Sequence, residues 1–479
     1  MLFNSVDFAL FLPIVFLLYW GVTHKSIKLQ NIFIVVASYL FYGWWDWHFL
    51  FLIVTSTLVD FFVGIGLKKY HSVKSRKALL VLSIITNVGI LVFFKYYNFF
   101  VESFVNAFSL FGKDISASTL NLILPVGISF YTFQTLSYSI DVYKRNIEPT
   151  TNFFAFTAFV CFFPQLVAGP IERAKHLLPQ FQKKRHFNYN DGVDGLKQIL
   201  WGLFKKMVIA DNCGRYVDIL FSNSSDYSSS SLVLGVLFFS FQIYADFSGY
   251  SDIAIGVAKL FGFKLKQNFA TPYFSKSIIE FWQRWHISLS TWFRDYVYIP
   301  LGGSKVGTSR FICNILLVFI ISGFWHGASW TFIFWGFFHA ILYLITYYIM
   351  RKRKDLAKAK VYGFKYVIQV LITFSVVSFA WIFFRAESLD NAFVYIGNLF
   401  SVSLFSIPNF TDIRSLSVLL FFISVLLIVE WRGREEPYAI KLLFYNRIKM
   451  IRWSFYALLL FFIGMYANTD EVPFIYFQF

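Results

Sequence analysis

The sequence predicts an all-α polytopic membrane protein. Of its 479 residues, 57% are hydrophobic and only 14% are charged, whereas a soluble domain usually carries about 25% charged residues. Apolar stretches recur along the whole chain, and about 20 apolar residues in a helix cross a bilayer. These stretches lack the alternation of membrane β-strands. Helices are therefore the structure that can satisfy the hydrogen bonds of the backbone N–H and C=O groups in lipid.

The apolar stretches define the expected membrane helices in order. They are Val6–Trp20, Ile32–Leu67, Ala78–Phe94, Leu232–Phe263, Phe311–Met350, Tyr366–Phe384, Leu416–Val429 and Trp453–Met465. The first is expected to be retained, because nothing basic precedes it and no signal-peptidase site follows. Phe153–Pro170 is interrupted by Pro164, Gly169 and Pro170, which predicts a segment that enters and leaves on one face.

The positive charges predict the orientation in the membrane. The formal net charge is +17, and the basic residues gather in four short connectors: Lys68–Lys77, Glu172–His186, Arg351–Lys360 and Trp431–Arg452. Such loops face the cytoplasm, so nucleic-acid binding is not needed to explain them. This orientation places the N-terminus, Ser222–Ser231, Glu387–Asp412 and the C-terminus outside. Cys161, Cys213 and Cys313 show neither metal-ligand nor disulfide spacing and are expected to be small core residues.

His326 lies in the stretch SGFWHGASW, within some forty residues that lack Lys, Arg, Asp and Glu. The 39 residues from 311 to 349 would extend about 58 Å as helix, enough to cross a core of about 30 Å twice. We therefore expect a turn near residue 330 and His326 near the apex of a helical hairpin. Ionisable groups inside membranes tend to face cavities or partners, so a functional and a structural role are both open. His339 lacks the flanking glycines, and packing is expected for it.

Pro272–Ser304 is too charged to span the membrane. Its apolar residues follow a helical stripe, made of Phe281, Trp285, Leu289 and Trp292. This pattern predicts an amphipathic helix at the cytoplasmic interface. It leaves His286 and Glu280 unexplained, so a basic and aromatic floor that binds a phosphate or an anionic carrier is the alternative.

Two acids lie in the apolar segment Tyr244–Gly256. Asp246 and Asp252 are six residues apart, about 240° around a helix, so they cannot easily share one proton. Structural hydrogen bonding is the favoured interpretation. Gly249 would allow close helix packing.

The C-terminal segment PFIYFQF, Pro473–Phe479, is apolar and aromatic. It is expected either to anchor at the outer interface or to fold back into an opening on the outer face. The hydroxyl of Tyr476 could accept an acyl group only beside a base.

Four segments together resemble the membrane-bound O-acyltransferase superfamily, and its bacterial branch in particular, which includes membrane proteins of alginate O-acetylation and teichoic acid D-alanylation. They are Phe162–Lys175, Tyr244–Gly256, Glu280–Gly303 and Ser322–Gly336. The resemblance covers nearly the whole chain in order, and as a set the motifs are specific.

This resemblance implies a single domain of about 11 to 13 membrane helices, with re-entrant or interfacial segments and a funnel or tunnel through the bilayer. Its parts would be N-terminal helices (1–110), a catalytic core (120–350), C-terminal helices (351–467) and an external tail (468–479). The donor would be acetyl-CoA or an acylated carrier protein on the cytoplasmic side of a bacterial inner membrane, with no bound metal or cofactor. An SGNH-type transferase and a polysaccharide would be the partners outside.

The resemblance also implies roles for individual residues. His326 matches the family's invariant-type histidine and would act as the base, His286 matches the second motif histidine, and Tyr476 would carry the acyl group as an ester. The expected substrate-binding residues are Trp282, Arg284, Glu280, Trp325 and Asp246.

Two rival functions remain at this level. A transporter or flippase also uses buried titratable groups, but it predicts internal repeats, and the sequence shows no duplicated segment. A lipid, protein or D-alanyl acyltransferase of the same superfamily is the nearer alternative. The tyrosine-bearing tail argues against a lipid acceptor.

Overall fold

The computed structural model describes residues 1–109, 118–120, 122–167, 169–352, 363–410, 412–445, 447–466 and 474–475. The regular secondary structure of these residues is helical, as predicted. Their contacts define two compact units, one made of residues 1–196 and 254–266 and the other of residues 197–253 and 267–479.

The first unit holds the N-terminal helices. They are α1 (Val6–Val22), α2 (Ile27–Gly43), α3 (Leu50–Lys69), α4 (Val73–Leu91), α5 (Tyr97–Ser109), α6 (Ile128–Tyr143), α7 (Phe153–Cys161), α8 (Phe163–Leu166) and α9 (Ala174–Phe181). The stretch Phe153–Pro170 is broken as predicted, because α7 ends at Cys161 and α8 follows after one residue. Its predicted return to the same membrane face stays a prediction.

The second unit holds the remaining helices, two of which, α10 and α12, also contribute residues to the first. They are α10 (Tyr189–Leu203), α11 (Asp211–Ser222), α12 (Ser229–Leu260), α13 (Ile278–Arg284), α14 (Ile287–Phe293), α15 (Thr308–His326), α16 (Trp330–Lys352), α17 (Phe364–Arg385), α18 (Leu389–Leu399), α19 (Ile413–Arg432) and α20 (Lys449–Tyr466). A π-helical turn, Phe204–Ala210, joins α10 to α11.

The predicted apolar stretches are largely helical, and the stretch Ile32–Leu67 is divided between α2 and α3 by a break after Gly43. Seven helical segments are long and apolar enough to cross a membrane, and shorter apolar helices occur at Val6–Val22, Ile27–Gly43 and Phe153–Leu166. The chain is therefore a multi-pass membrane protein. The through-membrane tunnel stays a prediction.

Candidate active site

The hairpin of α15 and α16 positions His326. Helix α15 ends at His326 and α16 begins at Trp330, so the predicted turn is confirmed. A Cβ atom on Gly323 would collide with the carbonyl oxygen of Phe332, and one on Gly336 with that of Phe319. Only glycine fits at these two positions, because the backbones of the two helices touch there.

Aromatic rings surround His326, which is only 2% exposed. Its ring centroid lies 4.9 Å from that of Trp325, 5.3 Å from Trp335 and 5.4 Å from Phe384. The ring of His286 lies 6.3 Å away. The structure therefore brings together two histidines that are forty residues apart in the sequence.

His286 lies at a break between two short helices. The predicted amphipathic helix through Trp285 is wrong as a continuous element, because α13 ends at Arg284 and α14 begins at Ile287. His286 has a φ of 42°, in the left-handed region that side chains rarely adopt. Asn268 stabilises the break: its carbonyl accepts from the N–H of Ile287 at 2.9 Å, and its side-chain oxygen accepts from the hydroxyl of Ser288 at 2.9 Å.

The surroundings of His286 keep its ring neutral. The ring is fully buried, and burial lowers its pKa from 6.5 to about 3, because a charged imidazolium loses its hydration there. Phe247 packs against it edge-on, with 4.6 Å between centroids, and Trp325 lies 6.0 Å away. Trp325 thus contacts both histidines.

Glu280 and Arg284, two of the expected substrate-binding residues, contact each other. Their side chains form an ion pair of 2.7 Å on one face of α13. Glu280 also accepts from the N–H of Lys276 at 3.0 Å. Both side chains stay partly exposed, so the pair can still contact a substrate.

Trp282 lies with His339 rather than with His326. Its ring is 5.1 Å from His339 and 5.8 Å from Trp335. His339 is fully buried, and neither of its ring nitrogens has a hydrogen-bond partner among the described residues. The predicted packing role of His339 agrees with this aromatic surrounding.

Asp246 and Asp252 belong to two separate ion pairs. Asp246 binds Lys206 at 2.9 Å and Asp252 binds Lys205 at 2.6 Å. Lys206 also binds Asp211 at 2.8 Å. The predicted structural role of the acids is consistent with these pairs, but sequence reasoning missed the lysines. The signal was present: two consecutive lysines in the otherwise apolar run GLFKKMVIA.

Close packing of α10 on α12 brings these lysines to the acids. A Cβ atom on Gly202 would lie 2.6 Å from the carbonyl oxygen of Gly249, and one on Gly249 would lie 2.8 Å from that of Gly202. The predicted role of Gly249 in close packing is therefore confirmed.

The C-terminal segment enters this region at Phe474 and Ile475, which are 0% and 2% exposed. The backbone N–H of Ile475 donates to Asp246 Oδ2 at 2.7 Å. Phe474 packs on Tyr250 at 4.6 Å and on Phe247 at 5.5 Å. Tyr476 lies outside the described residues, so its predicted role stays a prediction.

A cavity of about 730 Å³ lies among α11, α19 and α20. Its polar lining includes Arg215, Asp412 and Arg414. From α11 it is lined by Asn212, Arg215, Tyr216 and Ile219.

The fold and the site define a polytopic membrane protein in which a buried histidine at a helical hairpin lies beside a second buried histidine at a helix break. The model of the MBOAT family, the membrane-bound O-acyltransferases, matches residues 145–386. That range contains both histidines and makes up half of the chain. The chain therefore belongs to the membrane-bound O-acyltransferase family and is an enzyme of O-acyl transfer.

Two curated relatives extend the similarity over most of the chain, and a third covers half of it. The peptidoglycan O-acetyltransferase of Helicobacter pylori is 38% identical over 421 residues, 82% of this chain and 78% of the relative. The probable alginate O-acetylase of Azotobacter vinelandii is 37% identical over 440 residues, 91% of this chain and 85% of the relative. The teichoic acid D-alanyltransferase of Streptococcus thermophilus is 33% identical over 257 residues, 50% of this chain and 61% of the relative.

Proposed function

We propose that the protein is a membrane O-acetyltransferase that moves an acetyl group from a cytoplasmic thioester to the outer face, for O-acetylation of a polysaccharide. The observation that carries this proposal is the meeting of two buried histidines, His326 at the hairpin turn and His286 at the break between α13 and α14. Two relatives that span most of this chain are named as O-acetylating enzymes of peptidoglycan and alginate, which supports acetyl as the group and a polysaccharide as the final acceptor.

In the proposed reaction, His326 is the general base. A neutral imidazole ring can accept the proton of an acceptor hydroxyl as that oxygen attacks the thioester carbonyl. A C–O bond forms, the C–S bond breaks, and the leaving thiolate takes the proton from His326. The products are an O-acetyl ester and a free thiol.

His286 contributes as a neutral ring. Since burial lowers its pKa to about 3, it stays uncharged at physiological pH and can donate an N–H to the oxygen that becomes negative in the transition state. Trp325, which packs on both histidines, holds the distance between the two rings. The partly exposed Glu280–Arg284 pair and Trp282 would contact the donor.

Contacts within the second unit support the proposed orientation. Ser229, from the predicted external stretch, has its Oγ 2.6 Å from that of Ser401, and the N–H of Asn409 donates to Ser231 at 2.8 Å. Both partners belong to Glu387–Asp412, which was also predicted to be external. The positive-inside rule would then place this end of the second unit outside a bacterial inner membrane. Applied to the basic loops of the sequence, the same rule predicts that the N-terminus and the C-terminal segment are also outside.

The contacts at the other end agree. The hydroxyl of Tyr366 donates to the carbonyl of Phe274 at 2.8 Å, and Phe274 packs on Trp431 with 5.2 Å between centroids. Trp431 begins a basic block that was predicted to be cytoplasmic. A donor from the cytoplasm would enter at this end.

Tyr476 is the proposed first acceptor. Its phenyl ester would be a reactive donor that an external SGNH-type transferase passes to the polysaccharide. The burial of Phe474 and Ile475 beside α12 supports a tail that folds back into the protein.

The test is single-turnover transfer in proteoliposomes with acetyl-CoA that carries a labelled acetyl group. We expect thiol release together with an acetyl adduct on the peptide that contains Tyr476, read by mass spectrometry. His326→Ala should reduce both by about 10²- to 10⁴-fold in a protein that still folds, and Tyr476→Phe should remove the adduct. Retained adduct in His326→Ala would refute the base assignment.

The same assay separates the rival functions. Label that crosses the membrane without thiol release would indicate a transporter. Transfer from a D-alanyl carrier protein, with none from acetyl-CoA, would show that the transferred group is D-alanyl rather than acetyl.

A further inference from the structure

Asp246 uses its two carboxylate oxygens for two different partners. Oδ1 binds the ammonium group of Lys206 at 2.9 Å, and Oδ2 accepts the backbone N–H of Ile475 at 2.7 Å. The second bond joins positions 229 residues apart. Since Asp246 is only 2% exposed, water cannot easily replace the tail's N–H, and a buried acceptor that loses its partner costs about 1–3 kcal/mol.

The charge around Asp246 favours a further donor. One lysine, Lys206, faces two carboxylates, because it also binds Asp211 at 2.8 Å. All three side chains are at most 5% exposed. Two buried carboxylates therefore share one ammonium group, and the N–H of Ile475 adds a positive dipole at the Asp246 oxygen that Lys206 does not bind.

Aromatic rings complete the surroundings of the tail. Phe474 packs between Tyr250 and Phe247, with centroid distances of 4.6 Å and 5.5 Å. Phe247 in turn packs on His286 at 4.6 Å. A single ring thus separates the bound tail from the histidine pair.

We propose that Asp246, Lys206, Asp211, Phe247 and Tyr250 form a tail site, which binds an apolar peptide through a backbone N–H and fixes the C-terminal segment in register. The site recognises one N–H group and one aromatic side chain. This inference rests on the proposed function in one respect: the register set at Ile475 is what would present the next residue, Tyr476, for acylation. Asp246 is then a positioning residue for the tail.

Peptide binding to the chain without residues 468–479 tests the tail site. A fluorescent peptide with the sequence of those residues is titrated into the truncated protein in nanodiscs. Asp246→Asn should weaken binding by about 10- to 100-fold, the range for a hydrogen bond to a charged group, because asparagine offers one acceptor oxygen where two are used. A peptide with Ile475→Pro lacks the N–H and should weaken binding as much, whereas Ile475→Val should bind normally.

The neighbouring ion pair provides the matched control. Asp252 also uses both oxygens, for Lys205 at 2.6 Å and Gln198 at 2.7 Å, and neither of these two partners belongs to the tail. Asp252→Asn should leave peptide binding unchanged. Equal losses in Asp246→Asn and Asp252→Asn would overturn the proposal, as would normal binding of the proline peptide.

A second measurement uses the full chain. Amide hydrogen exchange of the C-terminal peptide should be slow in the native protein and in Asp252→Asn, and at least tenfold faster in Asp246→Asn. Unchanged protection in Asp246→Asn would contradict the tail site even if the isolated peptide bound weakly.

The outcomes distinguish the tail site from the acyl-transfer proposal. A Tyr476→Phe peptide should bind as tightly as the native one although it cannot be acylated. Binding that depends on Asp246 without any acetyl adduct would keep the tail site and remove Tyr476 as the carrier. An adduct that forms equally in the native protein and in Asp246→Asn would keep Tyr476 as the carrier and remove Asp246 as the residue that positions the tail.

Discussion

The two units stabilise a buried carboxylate in different ways. In the first unit, neutral groups surround Asp60: the hydroxyl of Ser139 donates at 2.5 Å, the amide of Asn87 donates at 2.7 Å, and the hydroxyl of Ser83 also donates. In the second unit, Asp246 binds a lysine and a backbone N–H of the C-terminal segment. The neutral donors around Asp60 come from adjacent helices and hold those helices together. The partners of Asp246 are a cation and a chain segment distant in sequence, so this carboxylate can serve as a binding site for that segment.

The largest effect should follow the loss of the shared cation. Lys206→Met would remove the cation that the buried carboxylates of Asp211 and Asp246 share, and we expect about 3–5 kcal/mol less free energy of unfolding. Denaturant unfolding in detergent measures it. The control is Lys259→Met, which breaks a 2.5 Å pair with Asp194 that is 21% and 28% exposed and should cost at most about 1 kcal/mol. Equal losses would show that burial does not distinguish the two pairs.

A smaller loss of stability is expected from Asp60→Asn. The variant removes one acceptor oxygen but leaves no cation unpaired, so the free energy of unfolding should fall by about 1–3 kcal/mol. Acetyl transfer per folded molecule should not change, in contrast to Asp246→Asn. A loss of transfer in both variants at equal folded amount would remove the contrast between the two carboxylates.

The neutral ring of His286 predicts a dependence of stability on pH. Its pKa in the folded protein is about 3, below the unfolded value of 6.5, so the folded state resists protonation. Its contribution is fully present above pH 6.5 and is lost as the pH falls below that value. Relative to His286→Phe, the native protein should lose about 2 kcal/mol between pH 8 and pH 5. Parallel unfolding curves over this range would mean that water or a charge reaches the ring.

The smallest effect should come from His339→Phe. The imidazole makes no hydrogen bond to a described residue, and aromatic rings at 4.9 to 6.4 Å surround it. An apolar ring of similar shape should change the free energy of unfolding by less than about 1 kcal/mol and leave acetyl transfer within about twofold, since the proposed chemistry uses His326. A loss comparable to that of His326→Ala would assign His339 to the site.

The features predicted correctly from the sequence depend on local constraints. A bilayer imposes a length on each apolar run, so the hairpin turn after His326 follows from counting residues. The break at His286 could not be predicted in this way, because the apolar spacing continues through it and the break depends on Asn268, which lies far back along the chain. The partners of Asp246 were missed for the same reason. Lys206 is forty residues away in the sequence, and the N–H of Ile475 comes from a backbone that no side-chain pattern reveals.

The two consecutive lysines of the π-helical turn have a mechanical consequence. Lys205 and Lys206 form ion pairs with Asp252 and Asp246 of α12, and these two acids are about 9 Å apart along the helix axis. A shift of α12 by one helical turn along its axis would break both ion pairs at the same time. Residues 246–252 should therefore stay fixed in position along the helix axis. Any motion that admits a substrate has to come from the elements packed around this segment.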